Sequence, residues 1–390
     1  MTTLGDAIIL KFNVKFMSIY EKVLTFIHSP RAESFEELAL DVFRYQFSSV
    51  GAYRRYCLDR RINPALVHRI DDIPAVSNVA FKHVDLSDEL VARTGDDLTF
   101  LTSGTTQGRE RRGRHKVPRP EIYRASAIAH LRTMLFPDAR KTAMLALHPV
   151  AETMPESSLA TMISWCIAEF GNGRSFSAAS RERIDLTGAT EFLRIVEARR
   201  EPVCIMGTTA AFAALLSAVR ERGENFALAN GSRLMDTGGP KGQAMPISAN
   251  DVIAAAEKDF GIAPAMVVNE YGMTELCSQL YDATLFNCRD ASASPDRFKL
   301  APPWLRVSAR DPVTQKPVGD GEPGLLMFFD LANVGSVSAV MTEDVGIVEG
   351  ERVRVIGRSE MGSARGCALA IRQFAEDHAQ NNPRIARFAQ

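Results

Sequence analysis

The sequence predicts an α/β fold built on a largely parallel sheet and followed by a smaller β-module. Two patterns carry that expectation. From Lys141 to Gly272, short apolar runs alternate with segments of helical period, as in a parallel sheet covered by helices. From Ala301 the chain changes to short strands separated by turn residues, Asp311-Pro312 and Gly319 to Gly324, which reads as antiparallel. Composition agrees: 390 residues, 46% hydrophobic and 24% charged, suit a globular protein with room for more than one core.

A net charge of −1 gives no global field for nucleic acid. The six cysteines, Cys57, Cys166, Cys204, Cys277, Cys288 and Cys367, form no CxxC and stand at no metal-ligand spacing with His. They read as reduced thiols of a cytoplasmic protein. The first thirty residues hold neither an apolar run of about 20 residues nor a signal-peptide pattern, so no membrane span is expected.

Ser34 to Asp59 reads as one helix, with Ser34 as cap, Glu36 or Glu37 in the first turn, and a stripe from Leu38 to Phe47. Asn63-Pro64 stops it. Ile73 to Val84 reads as extended, because Pro74 breaks helix. Leu98 to Thr102 is a β-prone run feeding a glycine-hydroxyl loop. Pro120 to Phe136 reads as helix, Lys141 to His148 as a buried strand ended by Pro149, and Ser157 to Phe170 as helix before a Gly171-Asn172-Gly173 turn. Helices at Ala189–Arg199, Thr208–Arg222 and Ser248–Phe260 then alternate with strands at Val203–Met206, Ser232–Met235 and Met266–Val268. Beyond Ala301, strands are expected at Trp304–Val307, Gly324–Phe329, Ser336–Met341 and Arg352–Ile356.

Ligands bind in the loops after parallel strands, and the loops here carry suitable chemistry. LTSGTTQGRERRGRH, residues 101–115, offers Thr102, Ser103, Gly104, Thr105 and Thr106, then Arg109, Arg111, Arg112 and Arg114. Glycine lets backbone N–H groups turn toward a phosphate, hydroxyls add donors, and arginine supplies a fixed cationic fork. The same residues also suit a polar turn and a solvated basic face. The stretch is neither a Walker A loop nor a dinucleotide fingerprint. His148-Pro149, Asp236 to Gly242 and Asn269 to Glu275 end further strands, and Met341 to Gly346 and Gly357-Arg358 follow late in the chain.

In this order these segments resemble the core motifs of the acyl-adenylating (ANL) superfamily, which makes an acyl-AMP from a carboxylate and ATP. TSGTT looks like its phosphate loop, EYGMTE like its YGxTE motif, GDGEPGLL like its GExGEL turn, TEDVG like its ribose motif, and Gly357-Arg358 like its hinge. Two departures stand out. The phosphate loop lacks its usual Gly-x-Pro-Lys-Gly ending, and few residues follow Arg358, leaving a short tail where the superfamily's C-terminal domain is expected. FEELALDVFRYQFSSVGAYRRYC, IPAVSNVAFKHV, LHPVAETMPESSLATM and VIGRSEMGSARGCALAI further resemble the LuxE-like acyl-protein synthetases, nearly from residue 34 to the end.

That resemblance implies a fold and a division of the chain: residues 1–80 a helical N-terminal segment, 81–300 the nucleotide- and acyl-binding α/β core, 301–356 the β-module and 357–390 a short tail. It implies ATP and Mg2+ as cofactors and a carboxylic acid, with a fatty acid expected, as substrate. Thr102, Ser103, Gly104, Thr105 and Thr106 would hold phosphates, with the arginines standing in for a lysine. Glu275 and Thr105 would hold Mg2+. Tyr271 would stack on adenine beside Gly238 and Gly239, with Gly272 and Thr274 completing the motif. Asp344 would take the ribose hydroxyls, Arg358 would sit at the junction to the tail, and His148 would lie near the acyl carboxylate. Cys367 would carry the acyl group and pass it to a reductase.

Taken alone, each residue has a plainer reading: Tyr271 as core aromatic, Glu275 as a helix-start acid, His148 as a backbone-bonded structural residue, Cys367 as a small buried apolar residue. Three functions therefore stay open at this point. One is an acyl-protein synthetase using Cys367. The second is an acyl- or aryl-AMP ligase delivering to coenzyme A, a carrier protein or an amine. The third is a binding protein with a degenerate nucleotide site.

Overall fold

The computed structural model describes residues 17–30, 34–92, 95–102, 112–238, 248–287 and 297–358. The elements in order are α1 (Ile19–His28), α2 (Phe35–Ser49), α3 (Gly51–Asp59), β1 (Val76–Ser77), β2 (Leu98–Leu101), β3 (Arg114–Val117), α4 (Pro120–Met134), β4 (Thr142–Ala146), α5 (Ser158–Phe170), β5 (Gly171–Ser177) and α6 (Leu186–Ala198). They continue with β6 (Val203–Thr208), α7 (Thr209–Glu221), β7 (Arg233–Thr237), α8 (Ala249–Phe260), β8 (Val267–Tyr271), β9 (Leu280–Asp282), β10 (Lys299–Leu300), β11 (Leu305–Arg310), β12 (Pro323–Asp330), β13 (Ala339–Glu349) and β14 (Arg352–Arg358).

One 12-stranded sheet runs in the order β11-β12-β13-β14-β10-β9-β8-β7-β6-β4-β5, with β1 pairing beside β13. The half from β5 to β8 is parallel, with α5, α6, α7 and α8 as its crossovers. From β8 to β11 the successive strands pair antiparallel, and only the short β1 joins β13 in parallel. Parallel strands are covered on both faces and so lose the polar alternation of an exposed sheet. β4 illustrates it: Ala143 and Leu145 pack with α6, α7 and α8, while Met144 and Ala146 join the larger core on the other face.

Local chemistry sets the element ends. The Ser157 hydroxyl accepts the Ala160 N–H at the start of α5, and Ser248 with Asp251 forms a capping box on α8. Gly261 ends α8 at φ 67, where a side chain would be strained. The N-terminal helices are tied to the far end of the sheet. The Gln46 amide donates to Asn333 O and Ser338 Oγ, both at 3.0 Å, and the hydroxyls of Tyr20 and Tyr45 both donate to Asp88.

The structure corrects four expectations. Ser34 to Asp59 is two helices, broken at Val50, whose backbone is extended. The Gly51 N–H there donates to Glu89 Oε1 at 3.2 Å, and a Cβ on Gly51 would come within 2.8 Å of that oxygen. The Ile73–Val84 stretch holds only the short β1 before a 3-10 turn over Asn78–Lys82, capped by the Ser77 hydroxyl. Gly171-Asn172-Gly173 opens strand β5 rather than a turn, because pairing with β4 overrides the local glycine preference. The strand expected at Ser336 begins at Ala339 and runs on through Thr342 to Gly346, so the TEDVG segment lies within a strand.

Candidate active site

Parallel strands deliver their following residues to one edge. There stand His148 after β4, Thr209 after β6, Gly238 after β7 and Gly272 to Glu275 after β8. The antiparallel half brings in the rest. The Tyr271 ring lies roughly parallel to Phe328 of β12, centroids 5.8 Å apart, and its hydroxyl donates to Asp344 Oδ2 at 2.6 Å. Asp344 on β13 is the register partner of Arg358 on β14, next to a bulge at Val345 and Gly346. The Arg358 guanidinium donates to Glu343 at 2.6 Å.

The segment after Tyr271 is clamped through its backbone. His115 Nδ1 contacts Thr274 O at 2.7 Å, Asn333 Nδ2 donates to Glu275 O at 2.7 Å, and the Cys277 N–H donates to Asp330 Oδ2 at 2.9 Å. Asp330 also takes the Ser278 hydroxyl and the Ala332 N–H, and burial raises its carboxyl to about 6. These bonds hold Glu275 in place without engaging its carboxylate. That group is buried and takes no hydrogen bond from another described residue beyond its own backbone N–H. Burial raises it to about 7, with Arg358 and Lys82 pulling it down and Asp344 pushing it up.

A buried carboxylate without a partner side chain suits a cation. No group of three or more His, Cys, Asp or Glu that could hold a metal occurs among the described residues. Mg2+ needs no such cage when it is held by one or two carboxylates together with nucleotide phosphates. Glu275 fits that role.

Thr102 closes the base of the glycine-hydroxyl loop. Its N–H donates to Gly113 O at 2.9 Å, and its hydroxyl accepts the Gly113 N–H at 2.8 Å. Arg112 is spent on the same closure, donating to Thr102 O at 2.6 Å and Leu101 O at 3.1 Å. That makes Arg112 a staple of the loop base rather than the phosphate-binding stand-in expected from the arginine run. Ser103, Gly104, Thr105, Thr106, Arg109, Arg111, Gly239, Cys288 and Cys367 lie outside the described residues.

Gly238 adopts φ 79, the left-handed turn a glycine permits. Its carbonyl lies 2.8 Å from the Thr209 hydroxyl, which is also 2.9 Å from Asp236 Oδ1. Beside it Glu270 is fully buried and bonded to Thr237, and burial raises its carboxyl to about 7. A Cβ on Gly272 would run into Glu270 Oε1, so a larger residue there would have to displace the Glu270 carboxylate. His148 is farther along the edge. Its Nδ1 contacts Pro149 O at 2.9 Å and burial lowers its pKa. The structure thus gathers Tyr271, Thr274, Glu275, Asp344 and Arg358, whereas the His148 ring bonds to Pro149 O instead of to any of them.

Sequence reasoning missed His115, Lys82, Glu270 and Asn333. His115, Lys82 and Glu270 lie inside the motif stretches, but nothing in their spacing says what they face.

The family described as "Acyl-protein synthetase, LuxE" matches residues 17–375. The chain belongs to that family. Among curated relatives of this acyl-protein synthetase family member is the long-chain-fatty-acid–luciferin-component ligase of Aliivibrio fischeri, 23% identical over 370 residues, covering 89% of this chain and 92% of that one. The ligase of the same name from Vibrio harveyi is 25% identical over 206 residues, covering 50% and 51%. Among solved structures, 2-hydroxyisobutyryl-CoA ligase in its postadenylation state aligns with TM-score 0.61 at 16% identity, over 83% of this chain and 67% of that one. Its open conformation aligns with TM-score 0.60 at 17% identity, over 85% and 71%. That likeness establishes the acyl-adenylating fold expected from sequence. By family and fold, the chain is an acyl-adenylating ligase. No helix among the described residues is long and apolar enough to cross a membrane.

Proposed function

We propose that the chain uses ATP to convert a carboxylic acid, a long-chain fatty acid by the names of its relatives, into an acyl-AMP, then carries the acyl group on Cys367 for delivery to a partner protein such as a reductase or a carrier protein. The observation that carries the reading is the meeting of Tyr271, Glu275, Asp344 and Arg358 in a chain matched by the acyl-protein synthetase family.

A carboxylate is a poor electrophile, since its charge repels nucleophiles and oxide is a bad leaving group. Its oxygen attacks the α-phosphorus of ATP, the P–O bond to pyrophosphate breaks, and a mixed anhydride results. The protein's part is placement and charge stabilisation. The face of Tyr271 turned away from Phe328 receives the adenine while Phe328 backs the ring. Asp344 keeps Oδ1 for the ribose hydroxyls, because Tyr271 occupies Oδ2. Glu275 holds Mg2+, which supplies charge neutralisation at the phosphates when bound.

In the second step the Cys367 thiolate attacks the acyl carbonyl, the C–O bond to phosphate breaks, and AMP leaves with the electron pair. Two observations support Cys367 for this role. The family match extends through residue 375 and so includes it. Burial pushes Cys57 up to about 11 and Cys204 up to about 12, and raises Cys166 and Cys277 well above the usual thiol range. None of those four buried thiols is poised as a thiolate.

Mass spectrometry after incubation with ATP, Mg2+ and a fatty acid tests this. Wild type should gain one acyl mass that hydroxylamine removes, and Cys367→Ser should gain none. No adduct on wild type together with ready acylation of coenzyme A would transfer the second step to that acceptor.

A further inference from the structure

An exposed lysine is ordinarily a solvated surface charge. Lys82 has an address that sets it apart. β1 pairs in parallel with β13, Val76 opposite Val340 and Ser77 opposite Met341. The chain leaving β1 therefore heads along β13 toward its Asp344 end, and it reaches Lys82 through the short turn Asn78–Lys82. Phe81 anchors that turn. Its ring meets the His115 ring edge-on, centroids 5.6 Å apart at 86°, and His115 is the residue whose Nδ1 contacts Thr274 O. A Cβ on Gly113 would lie 3.3 Å from the Phe81 carbonyl carbon, so the turn also abuts the point where the glycine-hydroxyl loop returns. Lys82 thus projects from a fixed turn flanked by the loop base, Thr274–Glu275 and the Asp344 end of β13.

The charges around it complete the case. Arg112 is committed to two backbone carbonyls and Arg358 to Glu343. The 101–115 stretch contains no lysine. Lys82 is exposed and makes no hydrogen bond or ion pair with another described residue, yet its charge acts on Glu275. A compact ammonium on a flexible stem suits phosphate oxygens as a point charge.

We infer that Lys82 binds the β- and γ-phosphoryl oxygens of ATP opposite Glu275, taking the place of the lysine that the loop lacks. This rests on the nucleotide reading above. The alternative is a charge that merely balances Glu275.

Equilibrium titration of the full chain with ATP and separately with AMP, in the presence of Mg2+, distinguishes them. Lys82→Met keeps the apolar stem and removes the charge. It should weaken ATP binding roughly tenfold or more, leave AMP binding and the melting temperature at wild-type values, and lose its ATP defect when the charge is restored in Lys82→Arg. Unchanged ATP affinity in Lys82→Met, or equal loss of ATP and AMP, would overturn the inference while wild-type binding keeps the nucleotide reading intact. Wild type that binds neither nucleotide would overturn both.

Discussion

The Tyr271 hydroxyl and Asp344 Oδ2 are 2.6 Å apart, although their strands are separated in the sheet by β9, β10 and β14. At about 4.8 Å per strand, a flat sheet would hold those strands roughly 19 Å apart. The antiparallel half must therefore curl over the end of β8, and the Tyr271–Phe328 contact, one strand farther on, says the same. Curling is what turns a sheet edge into a site with an aromatic floor and an acidic wall.

That geometry separates the two residues' roles. Tyr271→Phe removes the hydroxyl and keeps the ring, so nucleotide affinity should change only a few-fold. Asp344→Ala removes the ribose acceptor and should cost about 1.5–3 kcal/mol of nucleotide binding. Fluorescent-nucleotide titration measures both. Equal losses in the two variants would mean the hydroxyl, not the ring, matters.

Glu270 gives a pH signature. Burial raises its folded pKa from 4.5 to about 7, so between those values the folded chain holds more protons than the unfolded one. Its contribution therefore favours folding at low pH and is lost as pH climbs from about 4.5 through about 7. Glu270→Gln keeps an acceptor for the Thr237 hydroxyl and removes the titration. The variant should gain stability relative to wild type across that window, up to roughly 3 kcal/mol by pH 8. Denaturant unfolding at pH 5 and pH 8 checks it, and a difference independent of pH would be the wrong result.

Arg233 provides a control remote from the nucleotide. It is fully buried, donates to Leu135 O at 2.7 Å and to Gly231 O, and pairs with Asp138 at 2.8 Å. Arg233→Met leaves the Leu135 and Gly231 carbonyls without that donor, while the partly exposed Asp138 keeps the Arg140 N–H, and should cost about 1–3 kcal/mol of stability. The fraction that stays folded should bind ATP as wild type does. Chemical denaturation and a nucleotide titration read the two effects separately.

The buried strands β4, β6, β7 and β8 were legible in the sequence because each is a short apolar run ended by glycine, proline or a polar turn. β5 was not, because its residues GNGRSFS alternate between half-buried and exposed and begin with a turn signature. β9 and β10, of three and two residues, are too short for any periodicity to register. The motif residues Tyr271, Glu275, Asp344 and Arg358 could be named from sequence, but their meeting could not. It depends on the curl of the antiparallel half and on clamps from Asn333 and Asp330, both far along the chain. His115 and Lys82 act through position alone, which no local pattern encodes.

Acid-dependent exchange of labelled pyrophosphate into ATP, run over a panel of carboxylic acids with wild type and Glu275→Gln, bears most directly on the site. Wild type should exchange only when an acid is supplied, with long-chain fatty acids among the active ones. Glu275→Gln, whose backbone clamps remain, should lose at least about tenfold of that rate while staying folded. Exchange by the variant at the wild-type rate, or no acid-stimulated exchange by wild type with any acid, would contradict an acid-adenylating site at Tyr271, Glu275 and Asp344.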